Sequence, residues 1–432
     1  MAEATRPTAA IVSVGNELLY GQTVDTNAAW LGRWLGARGV RVERGFTVGD
    51  VTADIVEALS RALASADLVV VSGGLGPTPD DVTKAAVASH LGLALVQDAE
   101  VQARLLRHFG AEGFGEIPIM SRGQAEVPAG ARTLANPLGT APGLVLEAGN
   151  ARVVLLPGVP SELHAIVDGG LADLLDDWLR GRPGVHPSHH VVVHTTGIRE
   201  TRLAEALEAR LAGLAPAVTD GISIAYLPDA RGVDLRLTSS GTDRLTAIGR
   251  IGSLLEALAS TLDPYRFESP SGDLAEAVVH GLRAGGHRLA VAESCTGGLL
   301  GARLTATPGA SDVFAGGVIA YENAVKTGLL GVPEADLARD GAVSEVVARH
   351  MAEGVARRLG TSTALSITGV AGPGGGSPEK PVGTVWIGLA LRGETGATCH
   401  HFSGDRGLIR ERAAQAALFA LYGTLASGAA RP

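Results

Sequence analysis

The segment Phe314-Ala-Gly-Gly-Val-Ile-Ala-Tyr321-Glu-Asn323-Ala-Val-Lys326 has the pattern of a buried strand that leads into a helix. Val313–Tyr321 is apolar, and Asn323 is a good N-cap for the helix that follows. We therefore expect Lys326 in the first turn, where the helix dipole disfavours a cation and partial burial favours the neutral amine. A neutral lysine near a serine hydroxyl, here that of Ser311, can act as a general base and activate the serine as a nucleophile.

Structural roles are the alternative for both residues. Most serines near turns cap helices or bond to the backbone, and most helix lysines are solvated, so spacing alone favours structural roles for Ser311 and Lys326. Further polar and glycine-rich segments surround the pair and strengthen the catalytic interpretation: Ala292-Glu293-Ser294-Cys295-Thr296-Gly297-Gly298, Thr368–Gly376, Lys380–Trp386 and Ser403–Arg406.

Taken together and in this order, these motifs resemble the C-terminal domain of the CinA family, over roughly residues 271–427. That domain is the nicotinamide mononucleotide (NMN) deamidase of pyridine nucleotide salvage. The resemblance implies an α/β amidase that hydrolyses the carboxamide of NMN to nicotinate mononucleotide and ammonia without a cofactor. It implies Ser311 as nucleophile, Lys326 as base, and Tyr321 and Thr368 as supporting polar groups. The substrate-binding residues that it implies are Arg406, Ser294, Thr296, Gly297, Gly369, Gly372 and Asn323.

Other assignments within these motifs stay open. Ser294 is an alternative nucleophile and Cys295 a third, although no histidine is obviously placed to activate the thiol, and a small buried packing residue is the simpler interpretation. The helix expected after Ser294-Cys-Thr-Gly-Gly would offer its N-terminus to a nucleotide phosphate. The glycine-rich loop after Thr368 could supply N–H donors to an oxyanion. Lys380 is a rival base, in a proline-rich loop.

Composition limits the classes of protein to consider. A chain of 432 residues is expected to form about two to four domains. The net charge of −9 argues against a general nucleic-acid-binding surface. Two cysteines rule out a disulfide framework and suit a reducing compartment. No signal-peptide pattern and no apolar run of transmembrane length are present, so we expect a cytoplasmic protein without membrane contact.

The N-terminal third predicts a parallel α/β sheet. Ala9–Val14, Asp67–Ser72 and Arg152–Leu156 are expected to be strands, and they alternate with the helical patterns Asn27–Arg38 and Thr52–Ala64. Ligands of such sheets bind beyond the carboxyl ends of the strands. The loops that follow the three strands are Gly15–Gly21, Gly73–Thr83 and Pro157–Glu162.

The loop after the second strand allows two interpretations. Thr78 can be the N-cap of the next helix, with Pro79 at its first position and Asp80 and Asp81 as favourable first-turn charges. Asp80 and Asp81 could instead hold a divalent cation against phosphate oxygens, since hard cations prefer oxygen ligands.

These three loops resemble those of the MogA-type, molybdopterin-binding-like domain found at the N-terminus of CinA proteins. The resemblance covers roughly residues 8–170 and implies a metal-dependent ADP-ribose pyrophosphatase that uses Mg²⁺, Mn²⁺ or Co²⁺. The alternative is a non-catalytic module that binds a pterin or a nucleotide. Asp80 and Asp81 are the metal-site candidates that it implies. The accompanying nucleotide-site candidates are Gly73, Gly74, Gly76, Thr78, Glu17 and Glu162.

A turn-rich break at Gly181–Ser188 separates this region from a small α+β unit that resembles the KH-like middle domain of CinA proteins. The RNA-binding GXXG loop with basic flanks is not evident, so a spacer or assembly module is favoured. The sequence thus predicts three domains, at residues 1–180, 188–268 and 271–427. The resemblance also implies a homodimer whose partners are the small-molecule substrates NMN and ADP-ribose.

Overall fold

The computed structural model describes residues 6–182, 185–240 and 242–427. Pro183 and Gly184, in the predicted break, lie outside the described residues. Two compact units are present: one contains the described residues of 1–189 and 239–249, and the other those of 190–238 and 250–432. The predicted domain boundaries stay a prediction.

The N-terminal region alternates strands with helices, as its hydrophobic pattern predicts. Its strands are β1 (Thr8–Val14), β2 (Arg41–Val48), β3 (Leu68–Ser72), β4 (Leu95–Gln97), β5 (Glu126–Pro128), β6 (Arg132–Leu134), β7 (Gly143–Ala148) and β8 (Ala151–Leu156). Its α-helices are α1 (Asn16–Leu19), α2 (Thr26–Ala37), α3 (Thr52–Leu63), α4 (Thr83–His90), α5 (Ala99–Ala111), α6 (Pro160–Ile166) and α7 (Ala172–Leu179). A 3₁₀ helix spans Ile119–Ala125, and a π-helical turn spans Val167–Leu171.

Six of these strands form one sheet in the order β2-β1-β3-β8-β7-β6. β1, β3 and β8 are parallel, as predicted. The sequence prediction missed three further strands: β2, which is parallel to β1, and β7 and β6, of which β7 is antiparallel to both β8 and β6. The reason is local: only Gly149 and Asn150 connect β7 to β8, and Gly149 has a φ of +64°. A two-residue connection with positive φ produces a hairpin, so the domain has a mixed sheet.

Apolar side chains cover both faces of this sheet. On one face Val12 and Val71 pack with Leu59 of α3 and Leu105 of α5. On the other, a second buried cluster joins the strands to α2, α6 and α7 through Leu31, Leu163 and Leu175. Burial on both faces explains the nearly continuous apolar runs of β3 and β8.

The middle region is a small α+β unit. Its elements are β9 (His189–Thr195), α8 (Glu200–Leu211), α9 (Pro216–Thr219), β10 (Ile222–Pro228), β11 (Val233–Ser239), α10 (Arg244–Leu262) and β12 (Arg266–Phe267), with the sheet order β10-β11-β9-β12. Within the described ranges, α10 is the helix whose length and hydropathy would suit a membrane span. Leu254 and Leu258 of α10 are buried in one hydrophobic cluster with Leu235 of β11.

The C-terminal region contains a five-stranded sheet in the order β14-β13-β15-β16-β17. Its strands are β13 (Leu289–Glu293), β14 (Phe314–Ile319), β15 (Thr363–Gly369), β16 (Thr384–Leu391) and β17 (Glu394–His401). Its α-helices are α11 (Leu274–Ala284), α12 (Leu299–Thr305), α13 (Asn323–Leu330), α14 (Glu334–Asp340), α15 (Glu345–Leu359) and α16 (Arg406–Ser427), with a 3₁₀ turn at Ala310–Asp312. β14, β13 and β15 are parallel, so their carboxyl ends lie at one edge of the sheet.

Candidate active site

The Lys326 side chain is buried at the carboxyl edge of the C-terminal sheet. Lys326 is the fourth residue of α13, and only 1% of its surface is exposed. Its Nζ lies 2.8 Å from the Ala320 carbonyl oxygen, 3.1 Å from the Tyr321 carbonyl oxygen and 3.2 Å from the Ser294 hydroxyl oxygen. No carboxylate among the described residues forms an ion pair with Lys326, so its contacts are all with uncharged groups.

These three contacts fit an ammonium group, which would donate to all three oxygens, and they also fit a neutral amine. A carbonyl oxygen can only accept a hydrogen bond, so Ala320 and Tyr321 each take one N–H. A neutral amine has two N–H groups, and its lone pair is then left for the hydroxyl proton of Ser294. Burial lowers the pKa of Lys326 below its usual value, and the nearby Cys295 thiol acts more weakly in the opposite direction. The geometry therefore places Lys326 Nζ within hydrogen-bond reach of Ser294, and burial favours the neutral amine that can accept the hydroxyl proton.

Ser294 reaches Lys326 because the two follow neighbouring parallel strands. Ser294 comes directly after β13, and its N–H donates to the Ile367 carbonyl oxygen of β15 at 2.9 Å. Glu293, the last residue of β13, is in register with Ile319, the last residue of β14. The chain beyond β14 must therefore pass close to Ser294.

Ser311 lies elsewhere. It is exposed on the 3₁₀ turn that precedes β14, whereas Lys326 follows that strand. Six residues of β-strand rise about 3.3 Å each, so β14 separates the two ends by roughly 20 Å. The predicted pairing of Lys326 with Ser311 is therefore replaced by a pairing with Ser294, which the sequence had offered as the alternative nucleophile.

The turn after Ser294 does not offer the free helix N-terminus that the sequence suggested. α12 begins at Leu299, and Gly298, its N-cap, has a φ of +96°. The buried Glu293 carboxylate accepts N–H bonds from Gly298 at 3.0 Å, Leu300 at 3.1 Å and Gly301 at 2.8 Å. The anion at this helix terminus is therefore the protein's own carboxylate, and the expectation of a phosphate there is corrected.

Cys295 and Thr296 complete the turn in different ways. Cys295 is buried, and burial raises the pKa of its thiol to about 11, which favours the packing interpretation over nucleophilic attack. Thr296 is fully buried, and its Oγ1 has no hydrogen-bond partner among the described residues.

Arg410 donates from Nε and Nη2 to the Thr296 carbonyl oxygen, at 3.2 and 2.6 Å. Sequence reasoning missed Arg410, although it lies one helical turn after Arg406 on α16.

Arg406 and Tyr321 form the exposed side of the site. Arg406 donates from Nη1 to the Gly372 carbonyl oxygen at 2.8 Å and from Nη2 to the Tyr321 hydroxyl at 3.1 Å. Tyr321 is 58% exposed. The predicted substrate-binding residue Arg406 and the predicted supporting residue Tyr321 are thus in direct contact, beside the glycine-rich loop.

The remaining predicted site residues form hydrogen bonds or close packing contacts within the fold. Asn323 is the first residue of α13, and the N-cap is Glu322, so the predicted cap is corrected by one position. Thr368 donates to the Ala342 carbonyl oxygen at 2.7 Å. A side chain at Gly369 would meet Val385 within 2.7 Å, which explains the glycine. The Lys380 ammonium donates to the Asp340 carbonyl oxygen, away from the Lys326–Ser294 pair.

Gly297 and Gly372 both have the positive φ that turns at the site require. Their φ angles are +59° and +78°, values that glycine adopts readily. At Gly372 a side chain would also approach Val382 within 2.7 Å. Both glycines shape loops at the carboxyl edge.

A second group of predicted residues meets at the carboxyl edge of the N-terminal sheet. Gly73 has a φ of +108°, and a side chain there would lie 2.1 Å from the Val14 carbonyl oxygen. Gly74 follows with a φ of +65° beside the Thr83 hydroxyl, whose Oγ1 is buried and has no partner among the described residues. The loops after β1 and β3 therefore approach each other as closely as glycine allows.

Asn27 links the end of β3 to the loop after β8, and only its place at a helix start marks it in the sequence. Its Nδ2 donates to the Ser72 hydroxyl at 3.1 Å and to the Gly158 carbonyl oxygen at 2.8 Å. Its Oδ1 is buried without a partner among the described residues. An unpaired acceptor at the edge where ligands of such sheets bind is a feature of a binding site.

Asp81 shapes the glycine loop, and the predicted helix start at Thr78 is wrong. α4 begins at Thr83 with Val82 as its N-cap. The Asp81 carboxylate accepts from the Gly76 N–H at 2.7 Å, the Thr78 N–H at 2.8 Å and the Thr78 hydroxyl. Asp81 thus closes the turn through side-chain hydrogen bonds. Because Thr78 donates to Asp81, it does not cap a helix.

Asp80 is the more available of the two carboxylates. It is exposed, and a hydrogen bond from Thr78 is the main cause that lowers its pKa. Across the described part of the chain, no three Asp, Glu, His or Cys side chains cluster as ligands for a metal ion. A divalent cation at this loop would therefore rely on Asp80, with Asp81 already engaged, and on oxygen atoms of the substrate.

Glu17 and Glu162 lie in the flanking loops. Glu17 is exposed on α1, against Gly15. Glu162 on α6 accepts from Asn136 Nδ2 at 2.6 Å, which ties it to the segment Asn136–Pro142 between β6 and β7. The sequence analysis did not single out that segment, although its Asn-Pro-Leu-Gly run is a turn signal.

Three segments of the chain match models of known protein families. Residues 271–425 match the family model described as "CinA C-terminal domain", residues 10–177 match "Probable molybdopterin binding domain", and residues 190–267 match "Damage-inducible protein CinA KH domain". A "CinA-like protein" of Gemmatimonas aurantiaca is 46% identical over 410 residues, 94% of each chain. Another, of Salinibacter ruber, is 42% identical over 411 residues, 95% of this chain and 97% of the relative.

Among solved structures, a chain from Thermoplasma acidophilum described as "the protein CinA with unknown function" is 40% identical, with a TM-score of 0.37. The match covers 39% of this chain and 98% of that chain.

Proposed function

The chain belongs to the CinA family, and we propose that its C-terminal domain hydrolyses the carboxamide of NMN to nicotinate mononucleotide and ammonia. The observation that carries the proposal is the contact between the buried Lys326 Nζ and the Ser294 hydroxyl at 3.2 Å. A serine activated by a neutral lysine is a recognised nucleophile for acyl chemistry. The choice of NMN rests on the resemblance of the surrounding motifs to the deamidase domain.

In the acylation step the Ser294 hydroxyl oxygen attacks the carboxamide carbon while Lys326 accepts the hydroxyl proton. The tetrahedral oxyanion collapses, the C–N bond breaks, and the Lys326 ammonium returns the proton to the departing nitrogen, which leaves as ammonia. The product of this step is an ester between Ser294 and the nicotinate carbonyl. Water then attacks the ester as Lys326 takes its proton, and the proton returns to Ser294 as the acid is released.

Thr296 is the candidate for oxyanion stabilisation. Its backbone N–H donates to no protein acceptor among the described residues, and its buried hydroxyl is also unpaired. Arg410 holds the Thr296 carbonyl by two hydrogen bonds and so fixes the direction of that peptide. Fixed donors near a developing negative charge stabilise the transition state strongly because they need no reorganisation.

Arg406 is the candidate for the phosphate of NMN. Its guanidinium is exposed and is held by the Gly372 carbonyl and the Tyr321 hydroxyl, which carry no negative charge. A guanidinium without a carboxylate partner keeps its full charge for a phosphate. Tyr321 thus orients Arg406 and also supplies, through its carbonyl oxygen, one acceptor for Lys326.

Ammonia release from NMN by the full-length protein tests this proposal, with nicotinate mononucleotide identified by chromatography. Formation of both products in equal amounts is expected. An amount of ammonia no greater than that from buffer, in a protein shown to be folded, would contradict it.

A second candidate function concerns the N-terminal domain, a metal-dependent hydrolysis of ADP-ribose. Supporting observations are the unpaired Asn27 Oδ1 and Thr83 Oγ1 atoms at the carboxyl edge and the available Asp80 carboxylate. The rival is a non-catalytic module that binds a pterin or nucleotide. Assays of ADP-ribose with Mg²⁺, Mn²⁺ or Co²⁺ separate them, since binding without hydrolysis favours the module. A homodimer and a cytoplasmic location stay predictions.

A further inference from the structure

A small cavity in the N-terminal domain is lined by two arginines that form no ion pair among the described residues. It has a volume of about 170 Å³ and is lined by Arg104, Arg107 and His108 of α5 and by Asn136, Gly139 and Thr140 of the facing loop. The three α5 residues are spaced at i, i+3 and i+4, so they share one face of the helix. No lining residue is acidic.

Arg104 has the more unusual environment. Its Nη2 atom is buried and has no hydrogen-bond partner among the described residues. Neither Arg104 nor Arg107 forms an ion pair within the described ranges, whereas His108 lies 3.3 Å from Glu112. A buried guanidinium donor without a partner is costly, so an acceptor that enters the cavity would relieve that cost.

Hydrogen bonds hold the opposite wall in place. Asn136 Oδ1 accepts from the Leu138 and Gly139 N–H groups at 3.0 and 2.9 Å, and Asn136 Nδ2 donates to the Ala141 carbonyl oxygen at 2.9 Å. The same Nδ2 donates to Glu162 Oε2, so this carboxylate is engaged, and Glu162 does not line the cavity. A loop held in this way keeps the lining residue Thr140 in place at little further ordering cost.

The cavity lies at the ligand-binding edge of the sheet. β6 is antiparallel to β7, which is antiparallel to β8, so β6 runs parallel to β8. The segment Asn136–Pro142 follows β6 and therefore lies at the same carboxyl edge as the Gly73 and Gly158 loops. Pockets that hold a whole small molecule usually measure roughly 300–1,000 Å³. The smaller cavity suits one functional group of a larger ligand.

We propose that Arg104, with Arg107 and the Asn136–Pro142 loop, binds a phosphate group of the ligand of the N-terminal domain. The shared chemistry is a phosphate oxygen that accepts hydrogen bonds from guanidinium donors, and either a nucleotide or a phosphorylated pterin would supply it. The inference concerns binding alone, so it holds whether or not the domain hydrolyses ADP-ribose.

Calorimetric titration of the full-length protein, without metal so that no turnover occurs, tests the proposal. The probes are ADP-ribose with adenosine as its phosphate-free control, and neopterin phosphate with neopterin as its control. Arg104→Met keeps the aliphatic stem and removes the charge. It should weaken binding of the preferred phosphate-containing probe by about tenfold or more and leave its phosphate-free control unchanged. Arg33→Met, at an exposed arginine of α2, is the matched control and should bind like the wild type.

Several results would overturn the assignment. The first is that Arg104→Met binds every phosphate compound as tightly as the wild type does. The second is that Arg33→Met weakens binding as much as Arg104→Met does. The third is that the wild type binds no phosphate compound. If Arg104→Met does not fold, Arg107→Gln and Arg104→Lys replace it, and wild-type affinity in both would equally overturn the assignment. Failure of ADP-ribose hydrolysis alone, with phosphate binding that depends on Arg104, would end the pyrophosphatase proposal and leave this one intact.

Discussion

Ser294 and Lys326 are 32 residues apart in the chain, yet Lys326 Nζ lies 3.2 Å from the Ser294 hydroxyl oxygen. The contact forms because β13 and β14 are parallel neighbours and both residues come after the carboxyl ends of these strands. Lys326 is buried there with two carbonyl oxygens as its other partners. The proposed base and the proposed nucleophile therefore lie at the same edge of the sheet.

Ser294→Ala should lower kcat for NMN deamidation by about three orders of magnitude or more, because the variant lacks the nucleophile. Ser311→Ala is the control, and its kcat should stay within about twofold of the wild type, since Ser311 is exposed at the other end of β14. Ammonia release measures both. The reverse ranking of the two serines would restore the assignment made from sequence alone.

The rate should depend on pH through Lys326. Burial lowers the pKa of Lys326, so kcat/KM should rise with pH as Lys326 loses its proton. The midpoint of this rise should be an apparent pKa below 10.5, with a plateau at higher pH. Lys326→Arg should fail nearly as badly as Lys326→Met, because arginine stays protonated and cannot act as a base. Substantial activity in Lys326→Arg would indicate a binding role for the charge instead.

The same shift predicts a pH dependence of stability. Because the pKa of Lys326 is lower in the folded state, the unfolded state binds more protons between the folded pKa and about 10.5. The free energy of unfolding of the wild type, relative to Lys326→Met, should therefore increase as pH rises through that window. Denaturant titrations at several pH values measure it, and a difference that shrinks with rising pH would show that Lys326 is charged in the fold.

Much of the fold could be predicted from the sequence because its strands are apolar runs bounded by glycine. β1, β3 and β8 appear within a residue or two of their predicted ends. The site was harder, since Ser311 is closer to Lys326 along the chain than Ser294 is. Residues that follow parallel neighbouring strands lie at the same edge of a sheet. Ser294 and Lys326 both follow such strands, whereas Ser311 precedes one.

Other features had no signal in a single sequence. Glu293 fills the N-terminus of α12, and that choice of partner depends on how the turn closes in three dimensions. Asp81 similarly takes three bonds within its loop and delays the start of α4 to Thr83. Capping rules predicted a helix start at Thr78, but the Asp81 carboxylate bonds Gly76 and Thr78 instead, and the loop continues to Val82.

Arg406→Met should raise KM for NMN by about tenfold or more, with a smaller effect on kcat, if Arg406 binds the phosphate. Nicotinamide riboside, which lacks the phosphate, provides the control substrate. The variant and the wild type should process it with similar kcat/KM. An equal loss on both substrates would place Arg406 in the chemistry or in loop structure rather than in phosphate binding.

The two N-terminal aspartates should behave differently. Asp81→Asn puts an amide where the Gly76 and Thr78 N–H groups need an acceptor, so we expect a loss of about 1–3 kcal/mol in unfolding free energy. Asp80→Asn should leave the melting temperature unchanged and should impair metal-dependent ADP-ribose hydrolysis. Thermal unfolding measures the first effect, and formation of AMP and ribose 5-phosphate measures the second. Unchanged hydrolysis in Asp80→Asn would exclude it as the metal ligand, and NMN deamidation should be unaffected in both variants.

Mapping the acyl-enzyme tests the Ser294–Lys326 assignment most directly. The wild type is mixed with NMN, quenched with acid during turnover and digested with trypsin. Cleavage after Arg288, Arg303 and Lys326 places Ser294 in the peptide 289–303 and Ser311 in the peptide 304–326. We predict a nicotinate mononucleotide ester on the first peptide, with fragment ions that assign it to Ser294 rather than Cys295. An ester on the second peptide, a thioester at Cys295, or full turnover with no labelled peptide would contradict the account.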